Sequence, residues 1–178
     1  MGTDDELKYS RVEYERRFLV SPDSDWRATV EAYSKTFEDT YIRGTRLRLR
    51  ILTDSDTARR VIKLTKKFES PSPYFRTISR ILLSPEEYEL LNSLAGDRLT
   101  KVRHYHTYLG RVFSIDVFQG ELDGLILCET EADGLEDLMS IEPPPYAIRE
   151  VTENPFFDGG SLCRATRVDL SQNVIQFS

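Results

Sequence analysis

The 178-residue sequence has no apolar run long enough to cross a bilayer, and residues 1–9 are acidic and polar where a secretory leader would be basic and then apolar. We therefore expect a cytoplasmic location and no membrane partner. Cysteine is scarce: Cys128 and Cys163 have neither the spacing of a zinc site nor the density of a secreted scaffold. Two buried free thiols are expected, with a disulfide as the alternative. A surplus of cations is also missing. With 24 Lys and Arg against 30 Asp and Glu, the chain cannot release counterions broadly, which argues against a nucleic-acid partner. No Ser-His-Asp arrangement, Gly-rich phosphate loop or paired-cysteine motif is legible.

What the chain does have is material for one substantial core, including nine Phe, nine Tyr and one Trp, and a length that suits a single domain over 1–178. Its cations are unevenly placed. They recur at alternate positions of a few segments, while acids crowd the segments between. The organising run is Glu13-Tyr14-Glu15-Arg16-Arg17-Phe18. In an extended strand Glu13, Glu15 and Arg17 share one face, and Tyr14, Arg16 and Phe18 take the other. Hard carboxylate oxygens suit Mg²⁺ or Mn²⁺ and a guanidinium suits phosphoryl oxygens, so this face can hold a metal beside a phosphate. Taken alone, the motif also reads as a solvated edge strand.

A helix is predicted over residues 26–34, then one strand over 40–51 with Arg46, Arg48 and Arg50 on one face and Leu47, Leu49 and Ile51 on the other. Three arginines in a row repel one another unless anions or carboxylates lie opposite. Residues 58–67 read as a hairpin partner with Val61, Lys63, Thr65 and Lys67 together, and 74–83 as a strand with Arg76, Ile78 and Arg80 together. Ser84, Pro85 and Glu87 spell a capped helix start, and Gly96 a stop.

Strands follow over 99–109 with Lys101, Arg103 and Tyr105 aligned, over 112–118 with Ser114, Asp116 and Phe118 aligned, and over 125–131 with Leu127, Glu129 and Glu131 aligned. His104 and His106 fall on the opposite face and read as surface or packing residues. A short helix over 133–140, a last strand over 146–151 and a helix over 161–166 complete the pattern, and the tail has no clear period. Many hairpins with few helices make an α+β domain around one curved sheet, and closing that sheet brings charged rows face to face around a ligand or solvent.

In this order the motifs resemble the CYTH domain, also called the triphosphate tunnel metalloenzyme superfamily, from residue 13 to about residue 162. Glu13, Glu15 and Arg17 match its E-x-E-x-K signature, Arg48 and Arg50 its R-x-R strand, Lys63 and Arg76 two basic positions, and Lys101 and Arg103 its K-x-R pair. The segment at 115–125 resembles its D-x-F-x-G-x-L-x-G-L stretch, Cys128-Glu129-Thr130-Glu131 its A-E-x-E, and Glu150-Val151-Thr152 a segment ahead of a loop and helix.

The resemblance implies a closed eight-stranded antiparallel β-barrel, a tunnel with a polar interior and short helices packed outside. It implies metal-dependent hydrolysis of a linear triphosphate, inorganic or organic, with Mg²⁺ or Mn²⁺ as cofactor and a small-molecule triphosphate as partner. A class IV-type adenylate cyclase and a non-catalytic polyphosphate-binding module are the alternatives, and a homodimer is left open. On the same resemblance Glu13, Glu15, Glu129 and Glu131 are metal ligands. Arg17 and Asp116 are catalytic, Asp116 as a further ligand or as the group that orients the nucleophile. Arg48, Arg50, Lys63, Arg76, Lys101 and Arg103 grip the phosphates. Two departures stand out. Arg17 replaces the usual Lys, exchanging a point charge for a planar fork. Residues 76–80 read Arg-Thr-Ile-Ser-Arg where many tripolyphosphatases carry two more glutamates, which leaves the metal count open and offers Arg80 to a phosphate.

Overall fold

The computed structural model describes residues 9–175; the reading of the acidic leader at 1–8 and the last three positions of the domain lie outside the described residues. In chain order the strands are β1 (Ser10–Val20), β2 (Ser34–Ile42), β3 (Leu47–Asp54), β4 (Arg60–Lys67), β5 (Phe75–Leu82), β6 (Gly96–Tyr108), β7 (Arg111–Phe118), β8 (Ile126–Ala132) and β9 (Ala147–Glu150). The helices are α1 (Trp26–Thr29), α2 (Pro85–Asn92), α3 (Leu135–Ser140), α4 (Gly159–Leu162) and α5 (Arg167–Ile175).

Eight strands close into an antiparallel barrel in the order β5-β4-β3-β2-β6-β7-β8-β1, with β1 returning to β5. The length of β1 makes closure work. Its residues 10–14 pair with β5 along one edge and its residues 14–19 with β8 along the other. Beyond β5 the same edge takes β9, where Phe18 faces Glu150.

The ring has the expected number of strands but different members. The helix expected over 26–34 ends at Thr29, and Lys35, Phe37, Asp39 and Tyr41 alternate along β2, which fills a place in the ring. Tertiary pairing on both sides outweighs the local helical spacing of Trp26, Val30 and Tyr33. The strand expected over 40–51 is two. Gly44, at φ 71°, turns the chain between β2 and β3 in a conformation that favours glycine. Arg46 therefore sits in the turn, half-exposed and paired with Glu69, outside the arginine row. The last strand, β9, lies outside the ring.

The capped helix forms as expected: Ser84 Oγ accepts from the Glu87 amide at 3.2 Å and the Ser84 amide donates to Glu87 Oε2 at 2.7 Å. It ends at Asn92, since Gly96 already belongs to β6.

Apolar side chains lie outside the barrel wall. Phe18, Phe113, Ile115 and Cys128 pack beneath Trp26, Leu138 and Tyr146 of the covering segments. His104 packs on Trp26 with ring centres 5.6 Å apart, and His106 Nδ1 lies 2.8 Å from the Tyr146 hydroxyl. Both cysteines are free; Cys128 is buried as expected, but Cys163 is only partly so.

A second cluster closes one end of the barrel. Leu19, Leu99, Phe118 and Leu127, near the strand ends, meet Phe157 and Leu162 of the C-terminal segment, with Leu170 and Val174 of α5 packed behind. Each such side chain contributes about 1.5–3 kcal/mol when buried, which holds this segment across the barrel end without strand pairing. No helix among the described residues is long and apolar enough to cross a membrane.

Candidate functional site

Alternation along eight strands sends every second side chain inward, and the inward rows enclose a chamber of about 210 Å³. Arg11, Leu52, Lys63, Arg80 and Glu131 line its front, near the strand ends opposite the apolar cluster; Phe157, Gly159 and Leu162 line its rear. Nine cationic side chains and five carboxylates form the wall. Of the candidates named from sequence, Glu13, Glu15, Arg17, Arg48, Arg50, Lys63, Lys101, Arg103, Glu129 and Glu131 all meet there. Arg76 and Asp116 do not line it. Arg76 opens onto a neighbouring cavity, and Asp116 is fully buried behind Lys101 and Arg103.

One side of the chamber, built from β1, β6, β7 and β8, is a lattice of ion pairs. Asp116 accepts from Lys101 Nζ and, at 2.6 and 2.7 Å, from Arg103 Nε and Nη2. Arg103 continues to Glu129, which also accepts from Arg17 Nε at 3.1 Å. Burial works against the Glu129 charge, but Lys101, Arg103 and Arg17 hold its carboxyl well below the usual range. Arg17 is bound on all sides: by Glu15, by Glu129, by the Phe157 carbonyl at 3.0 Å and by Asp158 Oδ1 at 3.2 Å. Burial alone would lower its pKa, yet these carboxylates raise it, so it stays protonated.

The β3/β4 side differs. Arg50 is neutralised by Asp39, whose carboxyl stays at about 2 in spite of burial because Arg50 and Arg48 surround it. Arg48, Lys63 and Lys67 have no ion pair with any described residue. Arg48 is 9% exposed and its buried Nε has no hydrogen-bond partner; Thr65, directly opposite on β4, has an orphaned Oγ1. Such groups are costly unless an acceptor reaches them. Burial, and then repulsion from Arg48, pushes Lys67 down to about 8.

Asp39, Lys67, Arg11 and Phe37 are chamber residues that the sequence reading did not assign. Phe37 carries Arg50 at 4.5 Å and Arg103 at 5.0 Å over its ring, a cation–π support. The signal for Asp39 is its alternation with Phe37 and Tyr41, in a stretch left between the helix expected over 26–34 and the strand expected over 40–51. Lys67 was already visible beside Lys63.

The donors for a hard divalent cation are Glu13, Glu15, Glu129 and Glu131. Glu15 and Glu131 face each other across β1 and β8. Glu13 is held by Arg11 and Arg80, whereas Glu131 forms no ion pair with a described residue. Burial and then repulsion from Glu15, Glu13 and Glu129 raise its pKa. Among the described residues, no three His, Cys, Asp or Glu side chains already stand together as a cation's ligands. The donor chemistry fits Mg²⁺ or Mn²⁺, and using it requires Glu13, Glu15 and Glu129 to turn from their arginines, whereas Glu131 has none to leave among the described residues.

The chain matches no protein-family model. It is 30% identical over 163 residues to an inorganic triphosphatase of Nitrosomonas europaea, an alignment that spans 85% of this chain and 96% of that protein. A solved structure of the hypothetical protein NE1496 superimposes with a TM-score of 0.58 at 25% identity, over 86% of this chain and 99% of that one. A structure of the inorganic triphosphatase NE1496 gives 0.56 at 24%, over 86% and 95%.

Proposed function

Given that the chain belongs to the CYTH, or triphosphate tunnel metalloenzyme, superfamily, we propose that it hydrolyses a linear triphosphate bound in the front chamber with a divalent metal ion. The observation that carries this reading is a set of cations that make no ion pair with a described residue: Arg48, Lys63 and Lys67 face the chamber, and Arg48 only shares with Arg50 the single charge of Asp39. A linear triphosphate concentrates several negative charges within a few ångströms, and guanidinium forks match its oxygens.

Arg48, Lys63 and Lys67 receive the phosphate oxygens first. Arg17, Arg80 and Arg103 each hold a carboxylate, and each can exchange it for a phosphate oxygen. That exchange frees Glu13, Glu15 and Glu129, which with Glu131 are the residues that would hold the metal. When bound there, a divalent cation would neutralise charge that develops on the transferred phosphoryl group. Asp116 is a positioning residue, since it touches Lys101 and Arg103 and lies off the chamber wall.

The test offers tripolyphosphate and ATP to the chain with Mg²⁺, Mn²⁺ or a chelator, and follows orthophosphate beside cyclic AMP. Orthophosphate from tripolyphosphate, lost with the chelator, is expected. Cyclic AMP and pyrophosphate from ATP would make the chain a cyclase. Thermal stabilisation by tripolyphosphate without released phosphate would make it a binding module.

A further inference from the structure

Behind the chamber lies a second cavity of about 390 Å³, between the β2–β3 and β4–β5 turns and the C-terminal segment. Tyr41, Arg48, Lys67 and Gly159 line both spaces and form the partition between them. A Cβ on Gly159 would overlap the Tyr41 hydroxyl, so glycine lets α4 seat against that ring and narrow the passage. Six cations and three carboxylates line this vestibule. Arg43 and Arg46 are matched by Asp97 and Glu69 on its rim. Asp158 is shared: Arg17 reaches it from the chamber side and Arg76, at 3.4 Å, from the vestibule. Arg164 and Lys67 have no ion pair with a described residue, and the buried Nε of Arg48 has no acceptor.

We propose that this rear vestibule is a second oxyanion site, taking one phosphate group among Lys67, Arg76 and Arg164, with Arg48 reaching it from the partition. The anion takes the position toward Arg76 that Asp158 now serves at long range, and it supplies charge that the wall lacks. Two sources share this chemistry: free orthophosphate, or the far end of a linear polyphosphate longer than three units reaching through the partition. The site depends on the triphosphatase reading only for the class of anion.

The experiment is calorimetric titration of the full chain with orthophosphate, before and after saturation with a methylene-bridged tripolyphosphate analogue, for the wild type and Arg164→Glu. Arg164 is exposed and outside the chamber wall, so this variant should fold and keep its rate on tripolyphosphate. One phosphate should still bind to the saturated wild type, and Arg164→Glu should weaken it at least about tenfold. Phosphate excluded entirely by the analogue, or bound equally by the variant, overturns the proposal. Tetrapolyphosphate assigns the source. If its affinity falls in Arg164→Glu while that of tripolyphosphate holds, the vestibule takes a chain end; if neither falls while orthophosphate binding does, it takes the free ion. A chain with no turnover but two phosphate sites would sink the triphosphatase reading and keep the vestibule. Turnover with a single site would do the reverse.

Discussion

The two sides of the barrel wall carry the same residue types to opposite ends. On β1, β6, β7 and β8 each buried cation has a carboxylate partner: Lys101 and Arg103 share Asp116, and Arg17 and Arg103 share Glu129. On β3 and β4, Arg48, Lys63 and Lys67 have none among the described residues. A wall kept only as a structural salt lattice would pair both sides. Under the function proposed above, the first side is completed by folding and the second by the phosphates of the substrate.

The largest expected effect falls on the paired side. Asp116→Ala strands buried Lys101 and leaves Arg103 with Glu129 alone, and should destabilise the fold by about 3–5 kcal/mol in urea unfolding. A loss under about 1 kcal/mol would erase the distinction between the sides. Next comes Arg48→Met. Stability should hold within about 1 kcal/mol, since no ion pair is lost, while affinity for a tripolyphosphate analogue should fall about ten- to hundredfold. Equal losses of stability in both variants would break the comparison.

At the rear, Gly159→Ala forces α4 away from Tyr41 and should cost about 1–3 kcal/mol in thermal unfolding, as overpacked sites do. An unchanged melting temperature would mean that the partition is loose.

The smallest effect is protonic. Lys67 titrates at about 8, below its ordinary 10.5, because of burial and then Arg48, with Glu15 opposing and Arg17 and Arg76 adding repulsion. Its protonated form burdens the fold below about pH 8, and that burden lifts as pH rises toward 10.5. A bound anion favours the protonated form. Affinity should therefore be flat below about pH 8 and decline above it, with a fraction of a proton taken up on binding near pH 8–9. Proton-neutral calorimetry in that range would remove Lys67 from the anion's contacts.

The alternation of charge was legible because a barrel interior preserves the period of two that each strand carries. Glu13, Glu15 and Arg17 share the inner face of β1, and Glu129 and Glu131 that of β8. What escaped the sequence depended on partners far along the chain. Residues 35–39 of β2 carry too few alternating positions to read as a strand until β3 and β6 flank them, so Asp39 is not legible beside Arg50. Asp116 sits in the expected row, but only packing reveals that Lys101 and Arg103 cover it. The tail shows no clear period, and among the described side chains of α5 Leu170 and Val174 pack against the apolar end, beside Phe157 and Leu162.

The most direct test is a crystal structure with the methylene-bridged tripolyphosphate and Mn²⁺, using anomalous scattering to locate the metal. Phosphates should lie against Arg48, Lys63 and Lys67, with a manganese peak among Glu13, Glu15, Glu129 and Glu131. A chamber that binds neither at saturating ligand, with Arg17 still joined to Glu15 and Glu129, would contradict the account.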